Sequence, residues 1–527
     1  MRKIAASRSP ASIAPINRGV VAKGASIPAP VEGWDAASPI AAMPPKRAVV
    51  LDNWFPQPGW VELRKGHVVH CDTGDGEPVE SVMAYHGSVK TFIFAASNGK
   101  IFDITSGTAD SAVSGLTNNR WQHVNFTTSG GHYLYCVNGD DDPEVFDGST
   151  WTNPSITGPV TAADFIGINV YKSRLWFVPK ASTKVVYLAT DSIAGTATTF
   201  ELGGEMSLGG HVEAMGTWSV DAGNGPEDYA VFVTSRGQVM VYRGDPATTF
   251  SLVGVFNIGS PLGRRCLKRA GADLAIICVD GVVPLSKAMI FERAAIVKVA
   301  LTDRILNAMN RAALSYGENF GWQLESYARG TRIVLNVPVQ ENAEQVQFVM
   351  NTQHGAWCRF TGMNANCWEV WNDRIFFGGN DGKVYEADVS GTDISSSLMG
   401  TIKGAFQFFG ERGRQKRWTA LRPIYATDSD FSPGLGFNVD FRDDASIYTP
   451  QSIVNVGALW DDAEWDVDDW GGSFTTKTDW RSAPGMGFCA AVTMTANIQP
   501  MPDASPGPEF DLRVFGFDTT YEDGGFI

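Results

Sequence analysis

Three tryptophans spaced five residues apart are the residues of this sequence best suited to binding a ligand. Trp460, Trp465 and Trp470 alternate with carboxylates in the segment WDDAEWDVDDWGG. Indole rings stack on sugar rings and carboxylates attract cations, so the segment is a candidate carbohydrate or cation site. The same indoles could instead anchor a loop on a sheet or on a neighbouring subunit, with the acids facing water. We favour this second interpretation because no catalytic partner is evident near the ladder.

A basic run near the start of the C-terminal region is a candidate for contact with DNA or with an acidic protein surface. It contains Arg412, Arg414, Lys416 and Arg417 and ends at Trp418. In a strand, successive side chains point to opposite faces, so these charges are divided and form a poor phosphate-binding surface. We therefore expect the run to pair with carboxylates of an adjacent protomer.

A second basic run, made of Arg264, Arg265, Lys268 and Arg269, is open to the same two interpretations, and the sequence does not decide between them. The whole chain has 42 Lys and Arg against 57 Asp and Glu, giving a net charge of −15. A protein that wraps nucleic acid needs a basic surface, so the charge argues against that class. An acidic wall repels phosphate and is compatible with a surface past which DNA slides.

The acidic and histidine residues form no recognisable catalytic or metal-binding motif. The loop at 140–147 is rich in carboxylates but lacks the order of an EF-hand, so we expect a solvated loop. His67 and His70 would point to opposite faces of a strand, which argues against a shared metal. Zinc-protease, nucleophile-elbow, Walker and dinucleotide-binding motifs are absent from the sequence. We expect no catalytic residue, no metal and no cofactor, and hence no enzyme.

A short strand signature recurs along the first four hundred residues and indicates the architecture. Copies begin at Gly99, Pro143, Gly237 and Gly382. Their separations are close to one, two and three repeats of about 45–50 residues, the length of a β-propeller blade. Abundant glycine and aromatic residues also favour strands and turns. We predict an all-β protein with a propeller of about six or seven blades.

Composition divides the chain into four parts. These are an extended N-terminal arm (1–30), an N-terminal docking segment (31–78), the propeller (79–395) and a C-terminal β-sandwich-like docking domain (396–527). The arm is expected to be disordered alone or ordered only against a neighbour. The docking segment contains Trp34 and Trp54 and is expected to pack with the C-terminal domain. Apolar residues at helical spacing predict one inserted helix near 301–311, with Thr302 or Asp303 as its cap.

Cysteine usage and targeting signals bear on the compartment. The seven cysteines are scattered and no CxxC occurs, which favours free thiols in a reducing environment. The basic N-terminus is not followed by an apolar run, so we expect no secretion signal. No stretch approaches eighteen uninterrupted apolar residues, so we expect no membrane span.

Both ends of the chain resemble the tail hub, or nozzle, protein of short-tailed bacteriophages (podoviruses). The matching stretches are Glu32-Gly33-Trp34-Asp35, Met43-Pro44-Pro45, Leu51-Asp52-Asn53-Trp54-Phe55-Pro56, Leu63-Arg64-Lys65-Gly66, Phe409-Gly410, Gly413-Arg414-Gln415-Lys416-Arg417-Trp418 and the Trp-Asp ladder. The resemblance implies a homohexameric ring below the adaptor that joins the portal, with propellers around a channel for genome ejection. It also implies tail fibres or spikes as outer partners, DNA that passes without specific binding, and a virion protein assembled in the host bacterial cytoplasm.

Two functions from different classes follow. The first is a structural virion protein whose interface residues would be Trp460, Trp465, Trp470, Arg412, Arg414, Lys416, Arg417, Trp418, Trp34 and Trp54. The alternative is a carbohydrate-binding or carbohydrate-cleaving β-propeller protein, in which the ladder stacks on sugars and a carboxylate pair cleaves the glycosidic bond.

Overall fold

Sheets arranged in a ring dominate the computed structural model, which describes residues 21–221, 226–394, 396–443, 447–453, 474–500 and 510–526. Six small sheets form the ring, which confirms the predicted all-β propeller. The first four strands of a nine-stranded sheet lie between the fifth small sheet and the last one and make contact with both. Together these are seven radial units, which we number 1 to 7 in chain order.

Units 1 to 4 are antiparallel four-stranded sheets. Unit 1 comprises Ser81–His86, Thr91–Ser97, Lys100–Asp103 and Asp110–Ser114; unit 2 comprises Gln122–Thr128, Gly131–Val137, Glu144–Phe146 and Trp151–Thr152. Unit 3 comprises Phe165–Tyr171, Arg174–Pro179, Lys184–Tyr187 and Thr198–Glu201; unit 4 comprises Val212–Asp221, Pro226–Thr234, Gln238–Arg243 and Ser251–Asn257. A short parallel pair, Ile156–Thr157 with Gly195–Thr196, lies beside them, and 3₁₀ turns occur at Ile40–Ala42, Ala162–Asp164 and Gly203–Glu205.

Unit 5 has three strands, and helical segments follow where a fourth strand would be. Its strands are Leu267–Ala270, Asp273–Cys278 and Gly281–Pro284, and the helical segments are Leu285–Ala288, Arg293–Ile296, the 3₁₀ turn Asp303–Ile305 and Leu306–Tyr316. The predicted helix is therefore present but begins at Leu306, with two shorter helices before it. Neither Thr302 nor Asp303 caps it, since its N-cap is Ile305 without a side-chain hydrogen bond, and Thr302 Oγ1 instead accepts a hydrogen bond from the Val282 N–H at 3.1 Å.

Unit 7 closes the ring with a strand from the N-terminal segment. Ala365–Trp371, Arg374–Gly379 and Lys383–Ser390 are completed by Gly66–Asp72, which pairs antiparallel with Lys383–Ser390. The propeller therefore begins at Gly66, inside the segment expected to dock elsewhere. The pairing joins residues more than 300 positions apart in sequence, so the ring closes only when both ends of the propeller are folded.

The nine-stranded sheet, which we call the shared sheet, continues from the propeller into the C-terminal domain. It comprises Gln323–Tyr327, Arg332–Gln340, Glu344–Asn351 and Trp357–Phe360 (unit 6), then Ala48–Asp52, Leu398–Gly404, Ala490–Gln499, Gly434–Val439 and Ser452–Ile453. A seven-stranded sheet, which we call the terminal sheet, packs on its distal half. It comprises Lys23–Pro28, Trp54–Gln57, Trp60–Leu63, Arg414–Thr427, Thr475–Lys477, Arg481–Gly487 and Leu512–Phe526.

The two larger sheets form the C-terminal β-sandwich and include the N-terminal residues. Lys23–Pro28 pairs with the strand Leu512–Phe526, so this part of the predicted arm is a strand, while residues 1–20 lie outside the described ranges. Between the sheets, the rings of Trp418 and Phe437 are 5.8 Å apart. Strands near both termini of the described chain therefore build one domain, which shares a sheet with the propeller.

A buried ion pair lies where the propeller meets the sandwich. The Arg64 guanidinium donates to Asp393 Oδ1 at 2.8 Å and to Oδ2 at 2.6 Å. Arg64 Nε donates to Asn53 Oδ1 at 2.8 Å, and His67 Nδ1 lies 3.0 Å from Asp393 Oδ1. Since Arg64 is 1% exposed, its charge depends on Asp393 rather than on water.

Short turns and small helices complete the described structure. The turn predicted at Ser97-Asn98-Gly99 is present, with positive φ at Asn98 and Gly99, the conformation that a two-residue hairpin requires. The Asn372-Asp373 turn has the same form. No helix in the described ranges has both the length and the apolar character needed to cross a membrane.

Candidate functional site

The basic run at 412–417 lies at the start of a terminal-sheet strand, and its Arg414 pairs within the chain. Arg414 Nη1 is 3.4 Å from Asp523 Oδ2, and Arg414 Nε is 3.7 Å from Glu411 Oε2. For Arg414, carboxylates of the same chain therefore take the place of those expected from an adjacent protomer.

Lys416 of this run is buried and serves the fold rather than a partner. Its Nζ donates to three backbone oxygens, those of Glu411 (2.6 Å), Arg414 (2.9 Å) and Phe488 (3.4 Å). Burial lowers the pKa of Lys416. Arg412 and Arg417 remain exposed, with the Arg412 guanidinium over the Phe408 ring at 4.4 Å. Of the run, these two side chains are the exposed ones, and Arg414 is partly exposed.

The interface role predicted for Trp34, Trp54 and Trp418 is corrected by their burial. Trp54 and Trp418 are 0% exposed and Trp34 is 9% exposed, so no useful ring surface is left for another protomer. Trp34 packs edge-on against Phe348 at 5.2 Å. These indoles hold the core of the chain itself. The ladder of Trp460, Trp465 and Trp470 lies outside the described residues, so its predicted role stays a prediction.

A different surface of the sandwich has the chemistry of an interface. The Arg513 guanidinium lies 5.4 Å from the Trp60 ring and 4.7 Å from the Phe474 ring. The Arg422 guanidinium lies 5.0 Å from the Trp480 ring. We call this exposed side of the terminal sheet the arginine–aromatic face, and its residues are Trp60, Arg422, Phe474, Trp480, Arg513 and Phe515.

The arginine–aromatic face is accessible and already organised. Trp480 is 47% exposed, Phe474 42% and Phe515 38%, which is high for large apolar residues. Trp and Arg are the residues most enriched among those that dominate protein–protein binding energy. Stacking on aromatic rings pre-orients the guanidiniums, so little side-chain entropy is lost on docking. Sequence reasoning missed this face because its members come from four distant segments.

The second basic run lies at the centre of the propeller. The inner strands of all seven units line a cavity of about 330 Å³, and Arg264, Arg265, Lys268 and Arg269 are among its lining residues. The sequence left this run undecided, and the structure places it inside the ring.

Two pairs of titratable side chains lie at this cavity, and His123, Lys268 and Glu369 of these pairs line it. Lys268 Nζ lies 2.7 Å from Glu325 Oε2, and His123 Nε2 lies 3.4 Å from Glu369 Oε2. Burial, with the nearby Lys268 and Arg265 charges, lowers the pKa of His123 to about 3. Burial, with the nearby Glu325 charge, raises the pKa of Glu369 to about 8. At neutral pH His123 is therefore neutral and Glu369 is protonated.

The other candidate groups are part of the scaffold. Asp147 accepts hydrogen bonds from the N–H groups of Ser149 and Thr150, both at 2.8 Å, as in a side-chain-stabilised turn. The seven cysteines are buried and free. Within the described ranges, no group of three or more His, Cys, Asp or Glu side chains is placed to hold a metal ion.

Comparison with known proteins assigns this chain to no family. No protein-family model matches the chain, and no curated protein matches it. One solved structure that matches, BBS1N in complex with ARL6DN soaked with mercury, has 13% identity over 40% of this chain, with a TM-score of 0.29. The match spans 64% of that chain, less than two thirds of its length. Likeness at this level says nothing about activity or partners.

Proposed function

We propose that this chain is a structural virion protein, the tail nozzle or hub of a short-tailed bacteriophage. In this role it forms a homohexameric ring around a channel for genome ejection. The proposal begins with the sequence resemblance at both chain ends. It places the protein in the virion tail, below the adaptor and in contact with fibres or spikes.

The observation that carries the proposal is the shared sheet. The sheet of unit 6 continues directly into the sandwich, where the strand Trp357–Phe360 lies beside Ala48–Asp52. An ion pair joins these two strands, with Arg359 Nη2 at 2.6 Å from Asp52 Oδ2. A scaffold that transmits position between an adaptor and outer fibres needs rigid connection between its parts. A continuous hydrogen-bonded sheet gives that connection, whereas a flexible linker would not.

The surface chemistry of the sandwich supports assembly. The arginine–aromatic face offers exposed rings and oriented guanidiniums on an otherwise folded domain. A ring of identical subunits repeats one head-to-tail contact at every interface, so in this role the arginine–aromatic face would meet a second, complementary face of the neighbouring subunit. The net charge of −15 suits a channel wall that must not retain DNA.

Electron microscopy and mass photometry of the purified full chain test the proposal. We expect ring-shaped particles of six chains. Trp480→Ala should shift the population towards smaller species while changing the free energy of unfolding by less than about 1 kcal/mol, since the ring is half-exposed. Leu208→Ala, which removes an exposed apolar residue of the propeller, is the matched control and should leave the rings intact.

A persistent monomer at micromolar concentration would contradict the proposal. Saturable binding to a polysaccharide, lost when Trp465 of the ladder is replaced by alanine, would favour the carbohydrate-binding alternative in its place.

A further inference from the structure

The central cavity collects positive charge in a chain that is acidic overall. Four cationic residues of one short run, Arg264, Arg265, Lys268 and Arg269, line it, although the net charge of the protein is −15. Because the chain has more carboxylates (57) than cations (42), such a run could be expected to have carboxylates as partners. The partners of each cation therefore decide whether the charge is already balanced.

Arg264 and Arg265 are held by neutral acceptors. Arg264 Nη1 donates to the Asn138 carbonyl oxygen at 2.8 Å. Arg265 Nη2 donates to three neutral oxygens, those of the Glu80 carbonyl (3.0 Å), the Ser81 hydroxyl (2.7 Å) and the Trp121 carbonyl (3.1 Å). Burial lowers the pKa of Arg265 to about 10, which still leaves it charged at neutral pH. These bonds position the two guanidiniums without neutralising them.

The carboxylates near this end of the cavity are engaged elsewhere. Glu80 and Glu341 both pair with Arg120, at 3.0 and 2.5 Å, and Glu325 pairs with Lys268 at 2.7 Å. Glu369 is protonated at neutral pH, because burial raises its pKa. In the described part of the chain, no carboxylate oxygen comes within 4 Å of an Arg264 or Arg265 nitrogen. The cavity therefore has a positive excess.

The cavity also has side-chain N–H groups that lack a hydrogen-bond acceptor. Arg265 Nη1 and Gln122 Nε2 belong to lining residues, are buried, and have no hydrogen-bond acceptor among the described residues. Such groups cost free energy unless a bound molecule or water satisfies them. Arg269 is exposed at the cavity and adds a further charge that can reach a ligand.

We propose that the central cavity binds a small oxyanion, of the class of inorganic phosphate or the phosphate group of a mononucleotide. The volume of about 330 Å³ admits either and is far too small for a DNA duplex. Guanidiniums provide paired N–H donors that match phosphate oxygens. This site is independent of the proposed tail function, because it lies within the propeller of a single chain.

Isothermal titration of the purified full chain with inorganic phosphate, and separately with adenosine monophosphate, tests the site at constant ionic strength. We expect one saturable site per chain. Arg264→Gln/Arg269→Gln should weaken binding at least about tenfold, since it removes two charge-assisted contacts. Phosphate binding as tightly as the nucleotide would identify the free ion as the ligand. Clearly tighter nucleotide binding would identify the mononucleotide.

The matched control is Arg236→Gln/Arg417→Gln, which removes the same charge from two exposed arginines outside the cavity. It should change the affinity by less than twofold, and circular dichroism should show both double variants to be folded. The proposal is overturned if neither anion binds the wild type, or if both double variants lose affinity equally.

Discussion

The junction between propeller and sandwich and the central cavity both bury arginines, but they balance the charge in opposite ways. At the junction, Arg64 meets the Asp393 carboxylate through two hydrogen bonds of 2.8 and 2.6 Å. In the cavity, Arg264 and Arg265 donate to neutral oxygens, and no carboxylate of the described residues pairs with them. At the junction, the arginine charge is neutralised by a carboxylate of the same chain, and the pair stabilises the fold. In the cavity, the arginine charges are not neutralised in this way and could pair with a bound anion.

The largest expected effect is at the junction. Asp393→Asn leaves Arg64 buried without its anion, which should lower the free energy of unfolding by about 3–5 kcal/mol. Urea unfolding at pH 7 measures this directly. Asp142→Asn, at an exposed carboxylate, is the control and should change it by less than about 0.5 kcal/mol. Equal effects of the two substitutions would contradict the structural role of the pair.

Acid should remove the contribution of the same pair. The Arg64 and His67 contacts outweigh the effect of burial and lower the pKa of Asp393 from 3.8 to about 2. The ionised carboxylate therefore contributes about 2 kcal/mol above pH 3.8, and this contribution is lost as the pH falls through about 2. Urea midpoints should show the advantage of wild type over Asp393→Asn shrinking across that range. A constant advantage would contradict it.

The cavity should respond to pH in the opposite direction. Burial raises the pKa of Glu369 from 4.5 to about 8, so stability falls as the pH rises through this range. Glu369→Gln mimics the neutral acid, so its stability relative to wild type should rise by about 3 kcal/mol between pH 5 and pH 8. Thermal melts at several pH values measure this gain. A gain that does not depend on pH would exclude the titration of Glu369 as its cause.

The smallest expected effect distinguishes the two arginine sites most clearly. Arg264→Gln removes a charge that has no carboxylate partner in the described part of the chain, so the free energy of unfolding should change by less than about 1 kcal/mol. The comparison is with Asp393→Asn in the same urea assay. A loss as large as that at the junction would show that Arg264 is balanced after all.

Much of the fold was predictable because the blades repeat. Strand signatures at regular spacing and turns such as Ser97-Asn98-Gly99 depend on local sequence, and the structure contains both. The closing strand Gly66–Asp72 could not be predicted as part of the propeller, because its partner strand lies more than 300 residues away. Its proline-rich neighbours instead favoured placing it in the docking segment. The predicted cap was not found either, because the Thr302 hydroxyl accepts a hydrogen bond from the distant Val282 N–H, a contact that the local sequence does not reveal.

The candidate sites were less predictable, because a side chain's role depends on what surrounds it. Tryptophan is a common interface residue, but Trp54 and Trp418 lie in the core. Trp480 and Arg513 belong to distant segments, and only the terminal sheet brings them to one face. The run Arg264 to Arg269 could be recognised as basic in the sequence, but its position inside the propeller required the ring itself.

Calorimetric unfolding of the full chain tests the central claim most directly, namely that propeller and sandwich are one rigid scaffold joined by the shared sheet. We predict a single transition whose calorimetric and van't Hoff enthalpies agree, moved as a whole to lower temperature by Asp393→Asn. Two separate transitions, with only one of them moved by that substitution, would contradict the account.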